Sequence, residues 1–218
     1  MSGDGGRGDG GRGECERRFG VWLLWPMEGR VYDDNSGLTR QERGRHDRLR
    51  NAGRRRLFAA SRTAVRAMLR AARGGSGDWQ CPPGGRPRTR GAALSVSHCG
   101  DVTAVAIGPP QTPIGVDVEQ LRTLPESLTR QLLTPAERRD GSPEERSAVA
   151  IRRWVTREAT FKATGDACDS GAEVRIVDLP GRGVMAAAWT PPAASVRGRV
   201  LTDASAIAEV GLYVRSLT

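Results

Sequence analysis

The stretch PIGVDVEQ, residues 113–120, combines the pattern of a β-strand with two acidic residues. The β-branched residues that recur at every second position favour a pleated strand with one apolar face. Because alternate side chains of a strand share a face, we expect Asp117 and Glu119 to point together to the opposite side. Two carboxylates in this arrangement are either the solvated face of an edge strand or part of a cation site.

A third carboxylate lies in the stretch IRRWVTREATFKATG, residues 151–165. At about 3.6 residues per turn, the apolar residues of a helix here form one stripe with Glu158 near its middle. An i,i+4 ion pair with Lys162 is the simplest structural explanation of a carboxylate in that position. Together with Asp117 and Glu119, however, Glu158 completes an oxygen ligand set that suits Mg²⁺, with Mn²⁺ as an alternative.

The charge of the chain indicates an acidic partner. Its 218 residues carry a net charge of +9, and Lys162 is the only lysine among 34 basic residues. Nucleic acid, anionic lipid, a phosphorylated ligand or an acidic protein would each fit such a charge, which does not define a fold. A single lysine in an arginine-rich chain suggests a position that requires a compact and flexible charge.

The stretch LSVSHCGD, residues 94–101, adds a candidate anion site. Ser97 and His98 are expected at the end of a strand, beside a turn at Gly100 where side chains and backbone donors can meet an anion. A lone histidine commonly has a structural role. In a cationic chain with a candidate metal site, the Ser-His pair indicates phosphate binding.

The remaining pattern predicts an α+β fold. Residues 1–18 are rich in Gly, Arg and Asp and are expected to form a disordered tail. Residues 19–25 are expected to form a strand, residues 40–56 a dense cationic loop, and residues 57–72 an amphipathic helix. The strands AALSV, VTAVAIG and IGVDVE follow, and the proline-rich segment 108–113 marks a boundary.

The second part of the chain repeats this order of strand, helices and strands. A helix start is expected at Thr134, with Glu137 completing a capping box, and a long helix from Pro143 to Thr164 ends at Gly165. The strands AEVRIV, GVMAAAW, SVRGRVL and AIAEVGLYV come next. The absence of a regular βαβ alternation favours α+β, and the repetition suggests two similar halves, residues 19–113 and 114–218.

Cysteine spacing and hydropathy bear on location. The four cysteines have no metal-binding spacing, which is typical of free thiols in a reducing compartment. No segment approaches the ~20 apolar residues that span a membrane. We therefore expect a cytoplasmic protein that does not associate with membranes.

Three motifs, taken together, resemble the surfactin-synthetase-activating type of 4'-phosphopantetheinyl transferase. They are Ser97-His98, GVDVE at residues 115–119, and WVTREATFKATG at residues 154–165. Gly-Arg-Pro around Arg86 is similar to the family's Gly-Lys-Pro. Arg157 also stands where the family usually has lysine, so any proton donation by that lysine would be lost here.

The resemblance implies a fold and a reaction. Two similar α+β halves would pack with pseudo-two-fold symmetry around a cleft that holds coenzyme A, and the protein would be a monomer. The serine hydroxyl of an apo acyl carrier or peptidyl carrier protein would attack the β-phosphate of coenzyme A. The products would be the phosphopantetheinylated carrier and 3',5'-ADP, for polyketide or nonribosomal peptide biosynthesis.

The resemblance also implies residue roles. The metal ligands would be Asp117, Glu119 and Glu158, and Glu158 would accept the serine proton. Lys162 would hold a phosphate oxygen and act with these carboxylates in catalysis. The remaining coenzyme A contacts would come from Ser97, His98, Arg86, Arg50 and Arg54, the last two at the 3'-phosphate.

Two alternatives remain open from the sequence. An arginine-rich nucleic-acid-binding protein would explain the charge, but residues 40–56 contain no aromatic side chain for base stacking. We therefore do not expect nucleic acid as the partner. An inactive homologue of the transferase would explain Arg157.

Overall fold

The computed structural model describes residues 20–24, 37–73, 77–82, 85–100, 102–168, 171–179, 181 and 183–190. The elements are, in chain order, β1 (Gly20–Leu24), α1 (Arg40–Asp47), α2 (Ala52–Arg73), β2 (Trp79–Gln80), β3 (Arg88–Thr89), β4 (Ala93–Cys99), β5 (Val102–Gly108), β6 (Ile114–Glu119), α3 (Glu126–Leu132), α4 (Pro143–Thr164), β7 (Glu173–Leu179) and β8 (Gly183–Trp189). The predicted α+β class is confirmed. The predicted tail and the strands SVRGRVL and AIAEVGLYV lie outside the described residues.

Two antiparallel three-stranded sheets form the centre of the fold. The first has the order β1-β5-β4 and the second the order β6-β8-β7, while β2 and β3 form a separate hairpin. In each sheet the first strand pairs with the last, and two helices precede the closing hairpin. The two sheets therefore share one strand order relative to the chain.

The core is layered, with helices outside and the sheets between them. One apolar cluster joins β5 of the first sheet to β6 and β8 of the second. A second cluster packs α4 on the other face of β8, and a third packs α2 against the outer face of the first sheet. Strand β6 consequently has apolar neighbours on both faces, although it carries Asp117.

Helix α4 begins and ends where the sequence predicts. The Ser142 side chain accepts a hydrogen bond from the backbone of Glu145, whose carboxylate accepts one from the backbone of Ser142, and Pro143 begins the helix. Gly165 ends it with φ of 88°, a left-handed conformation that glycine adopts without steric cost. The long helix is thus fixed at both ends.

Two local predictions were wrong. Residues 40–47 of the expected cationic loop form α1, because Thr39 and Glu42 make a capping box and Glu42 also pairs with Arg66 of α2. These contacts stabilise a helix that has no apolar stripe. Conversely, Thr134 and Glu137 do exchange capping hydrogen bonds, but residues 135–139 form only a turn.

Helix α4 and strand β6 approach each other closely at Gly115. A Cβ atom on Gly115 would lie 1.9 Å from the Ala159 carbonyl oxygen and 2.7 Å from the Ala163 amide nitrogen. Both obstacles are backbone atoms of α4, so no side-chain rotation could relieve the clash. Glycine at this position lets the helix lie directly on the strand that carries the acidic residues.

Substitution Gly115→Ala should therefore lower the free energy of unfolding by about 3 kcal/mol, the upper end of the usual cost of overpacking. Urea denaturation of the full chain measures this. Gly44→Ala is the matched control, because a Cβ there meets nothing within 4 Å. The control should be neutral or stabilising by up to about 1 kcal/mol, as expected for alanine in an exposed helix. Equal effects of the two substitutions would contradict the close contact.

Candidate active site

The acidic residues of β6 share one face, as their spacing predicts, and α4 covers that face. Asp117 pairs with Ala186 of β8, and Glu119 pairs with Val184. Both β8 residues belong to the cluster that packs against α4. The two carboxylates thus share the helix-covered face of β6, which makes the solvated edge-strand interpretation wrong for Asp117.

Asp117 is a buried carboxylate with two donors. Asp117 is only 5% exposed. The Oδ1 atom accepts a hydrogen bond from Ser97 Oγ at 2.6 Å and one from Lys162 Nζ at 2.6 Å, and Lys162 also donates to the Val116 carbonyl at 3.2 Å. The Oδ2 atom is buried and has no hydrogen-bond partner among the described residues. One oxygen of this carboxylate is therefore satisfied and the other is not.

Glu119 lies nearer to solvent and also has two donors on one oxygen. Its Oε2 atom accepts from Cys99 Sγ at 3.2 Å and from Arg122 Nη1 at 3.1 Å. Arg122 is exposed over half of its side chain, whereas Cys99 extends from strand β4. Burial and the Glu119 carboxylate together raise the pKa of the Cys99 thiol, so the thiol is protonated and donates.

Glu158 is half-buried on α4 and makes no hydrogen bond or ion pair within the part of the chain that is described. The i,i+4 ion pair with Lys162 is therefore wrong, because the lysine ammonium binds Asp117 instead. A buried carboxylate on the neighbouring strand attracts the cation more strongly than a partly solvated one on the same helix.

The predicted three-carboxylate site is not assembled as a group. Within the described ranges, no three His, Cys, Asp or Glu side chains are close enough together to hold a metal ion. Asp117 is bound to Lys162, and Glu119 is bound to Arg122. The assignment of Asp117, Glu119 and Glu158 as metal ligands stays a prediction.

The donor chemistry nevertheless fits a hard divalent cation. A buried carboxylate oxygen without a partner is costly, and Asp117 Oδ2 is such an atom. Glu158 supplies an unpaired carboxylate, and the Oε1 atom of Glu119 has no donor in this part of the structure. Carboxylate oxygens are the ligands that Mg²⁺ and Mn²⁺ prefer.

Ser97 and His98 lie on opposite faces of β4. Ser97 is buried and binds Asp117, whereas His98 keeps solvent contact and bonds to Thr103 Oγ1 at 3.2 Å through Nδ1. Although part of the residue remains exposed, burial of the rest, followed by the positive charges of Arg62, Lys162 and Arg45, lowers the pKa of His98 to about 4. The ring is therefore neutral at pH 7 in a cationic environment, where an anion would find favourable charge.

The arginines predicted to contact coenzyme A occupy different places. Arg86 Nη2 donates to the Phe161 carbonyl at 3.1 Å and lies beside Gly165, so it sits at the end of α4 near Lys162. Arg50 and Arg54 are exposed around the start of α2, and their side chains have no partner in the described ranges. Their roles as coenzyme A ligands stay predictions.

Sequence reasoning missed two side chains that contact Glu119 and one buried arginine near His98. Cys99 and Arg122 hold Glu119, and Arg62 lies buried over the rings of Phe58 and Trp79, at 4.9 and 4.2 Å from their centroids. The alternation of Ser97 and Cys99 along β4 was the available signal for the first contact. Ser97 and Cys99 meet the carboxylates of β6 because the two sheets pack together, and a local sequence pattern does not reveal that packing.

Comparisons with known proteins agree with the motifs. The sequence model of the 4'-phosphopantetheinyl transferase superfamily matches residues 113–203, a range that contains the three carboxylates and Lys162. The chain is also 28% identical over 167 residues to the 4'-phosphopantetheinyl transferase HetI of Nostoc sp. (strain PCC 7120 / SAG 25.82 / UTEX 2576). That alignment covers 70% of each protein.

The depressed pKa of His98 has a measurable consequence. Folding lowers this pKa from 6.5 to about 4, so the unfolded chain binds more protons between these values. The free energy of unfolding should therefore fall as the pH is lowered through that range, and His98→Gln should reduce this dependence. Proton NMR titration of the two histidines, assigned with His46→Gln, should give a midpoint near 4 for His98. A midpoint near 6.5 would contradict the desolvation of His98 and the positive charges around it.

Proposed function

We propose that the chain is an enzyme of the 4'-phosphopantetheinyl transferase superfamily, which transfers phosphopantetheine from coenzyme A to a carrier protein. The acceptor is a serine of an apo acyl carrier or peptidyl carrier protein. The serine oxygen forms a bond to the β-phosphorus of coenzyme A, the pyrophosphate bond breaks, and 3',5'-ADP leaves. The observation that carries this proposal is Asp117, a buried carboxylate with one oxygen unpartnered in the matched segment.

Lys162 and Glu158 have the clearest roles in the transfer. The Lys162 ammonium is a mobile point charge on the edge of the site, with 29% of its side chain exposed. It can bind a phosphate oxygen while it remains close to Asp117. Glu158 carries no partner in the described structure, so its carboxylate is available to accept the proton of the attacking serine.

Asp117, Glu119 and Glu158 would hold the Mg²⁺, or Mn²⁺, that the family resemblance implies. That cation would neutralise the pyrophosphate and the charge that develops on the leaving group. Ser97 would keep one Asp117 oxygen engaged and so present the other to the ion.

Coenzyme A would bind between two halves of the fold, residues 19–113 and 114–218, related by pseudo-two-fold symmetry. The shared strand order of the two sheets supports this division. Residues from both halves meet at the site, since Ser97 binds Asp117 and Arg86 binds the last turn of α4. Arg86, Ser97 and His98 would bind the nucleotide end, and Arg50 and Arg54 would reach the 3'-phosphate.

The alternatives are less well supported by the geometry. Arg157, which suggested an inactive homologue, lies on the exposed face of α4 and makes no hydrogen bond or ion pair in the described part of the chain. A nucleic-acid-binding role leaves the buried Asp117 unexplained. Among the described residues, no helix is both long and apolar enough to cross a membrane.

The carrier and its pathway are a further part of the proposal. The surfactin-synthetase-activating type would serve polyketide or nonribosomal peptide synthesis, as a cytoplasmic monomer. Three cysteines of the described part are free thiols, which suits a reducing compartment. The net charge of +9 would attract acidic carrier proteins by electrostatic steering.

Transfer is tested by incubating the full chain with coenzyme A, Mg²⁺ and a panel of apo carrier proteins. Intact-mass spectrometry should show the addition of one phosphopantetheinyl group to the carrier. Asp117→Asn should lower kcat/KM by about 10²-fold or more, the loss expected when electrostatic stabilisation of a transition state is removed.

Asp178→Asn is the matched control for this substitution. Asp178 is also a strand aspartate of the second sheet and also pairs with a cation of α4, through Arg152 at 2.5 Å, but it lies at the exposed edge. Its substitution should leave transfer unchanged. Failure of the wild-type chain to modify any carrier would overturn the proposed transferase activity. Nucleic-acid binding would then be the function to examine.

A further inference from the structure

Three side chains of β4 meet the edge of β6 in succession. Ser95 Oγ accepts from the Val116 amide at 3.0 Å, and Ser97 Oγ donates to Asp117 at 2.6 Å. Cys99 Sγ accepts from the Gln120 amide at 3.3 Å and donates to Glu119 at 3.2 Å. The contacts follow the same order along both strands. The two strands are therefore joined by hydrogen bonds of β4 side chains rather than by backbone hydrogen bonds of a common sheet.

The end of β6 is also fixed through its backbone. A Cβ atom on Gly183 would lie 2.0 Å from the Glu119 carbonyl oxygen and 2.9 Å from the Gln120 Cα atom. Gly183 has a positive φ angle of 137°. The main chain at Glu119 is therefore packed closely against the start of β8, and the orientation of the carboxylate depends on the side-chain torsions.

Two donors set those torsions, and they differ in rigidity. Arg122 follows β6 in the next loop and has an exposed, flexible side chain. Cys99 has a short side chain on a paired strand, in register with Val102 of β5. A short donor on a rigid strand restricts an acceptor more than a long one in solvent.

The unpartnered oxygen of Asp117 links the contact between Cys99 and Glu119 to a ligand. Asp117 Oδ2, buried and without a partner in the described structure, is on the same face of β6 as Glu119. Its other oxygen is held by Ser97, two residues before Cys99 on the same strand. Ser97 and Cys99, at alternate positions of β4, thus each donate to one carboxylate oxygen on β6. The second oxygen of each carboxylate receives no hydrogen bond from β4.

We propose that Cys99 is a positioning residue that orients Glu119 toward the divalent cation of the transferase. The thiol donates its proton to Oε2 and so leaves Oε1 for the ion. This inference rests on the proposed function, because it assumes that the carboxylates of β6 bind such a cation. Outer partners of this kind commonly contribute 10- to 100-fold to metal affinity.

The test is the affinity of the full chain for Mn²⁺, followed by the electron paramagnetic resonance signal of the free ion. Cys99→Ala should weaken binding by about tenfold. Cys99→Ser should recover most of that loss, since a hydroxyl is also a donor. A purely structural role would give no such recovery in Mn²⁺ affinity.

Two control variants separate positioning from folding and from thiol chemistry. Ser95→Ala removes a β4 side chain from the same face, but its partner is a backbone amide rather than a carboxylate. It should lower the free energy of unfolding without changing Mn²⁺ affinity. Cys168→Ala removes an exposed thiol and should change neither.

The outcomes distinguish the two levels of the proposal. If the wild type transfers phosphopantetheine and Asp117→Asn abolishes Mn²⁺ binding, but Cys99→Ala binds like the wild type, the positioning role is overturned and the function stands. If the wild type binds no Mn²⁺, both the cation site and the role of Cys99 are overturned. Weakening by Cys99→Ala with recovery in Cys99→Ser supports the proposal.

Discussion

The burial of the Asp117 carboxylate is the constraint on which the rest of the site depends. A charge in that position requires donors, and they come from two other elements, Ser97 of β4 and Lys162 of α4. For the lysine to reach, the helix must lie on the strand, and Gly115 permits that approach. One buried oxygen atom therefore ties together both sheets and the long helix.

The chemistry of the donors explains why the only lysine of the chain stands here. An ammonium group has three donors on a flexible stem and reaches both Asp117 Oδ1 and the Val116 carbonyl. A guanidinium has five donors in a rigid plane, which a half-buried niche beside a helix would satisfy less readily. Around this centre lie further cations, including Arg86 at the end of α4 and Arg62 near His98. The site thus combines fixed carboxylates with surrounding positive charge, an arrangement that suits the proposed pyrophosphate substrate.

Local sequence signals were sufficient for several of the elements and for the shared face of the two acidic residues of β6. The alternation in β6 correctly placed Asp117 and Glu119 on one face, and the caps of α4 correctly gave its ends. The same signals failed for α1, where capping and an ion pair to α2 stabilise a helix without an apolar stripe. They also failed for the partner of Lys162, because spacing along one helix carries no information about a carboxylate on a neighbouring strand. The contact of Cys99 with Glu119 depends on the packing of two sheets, which only the tertiary structure specifies.

In the proposed enzyme, Lys162 and a divalent cation share the Asp117 carboxylate, one on each oxygen. Because the chain contains a single lysine, selective ¹³C labelling of lysine gives one side-chain signal that reports on this position alone. Titration with Mn²⁺ should broaden that signal in the wild type, with Mg²⁺ as the diamagnetic reference, and should leave it sharp in Asp117→Asn. A lysine signal that stays sharp while the wild-type chain binds Mn²⁺ would show that the cation does not bind at Asp117.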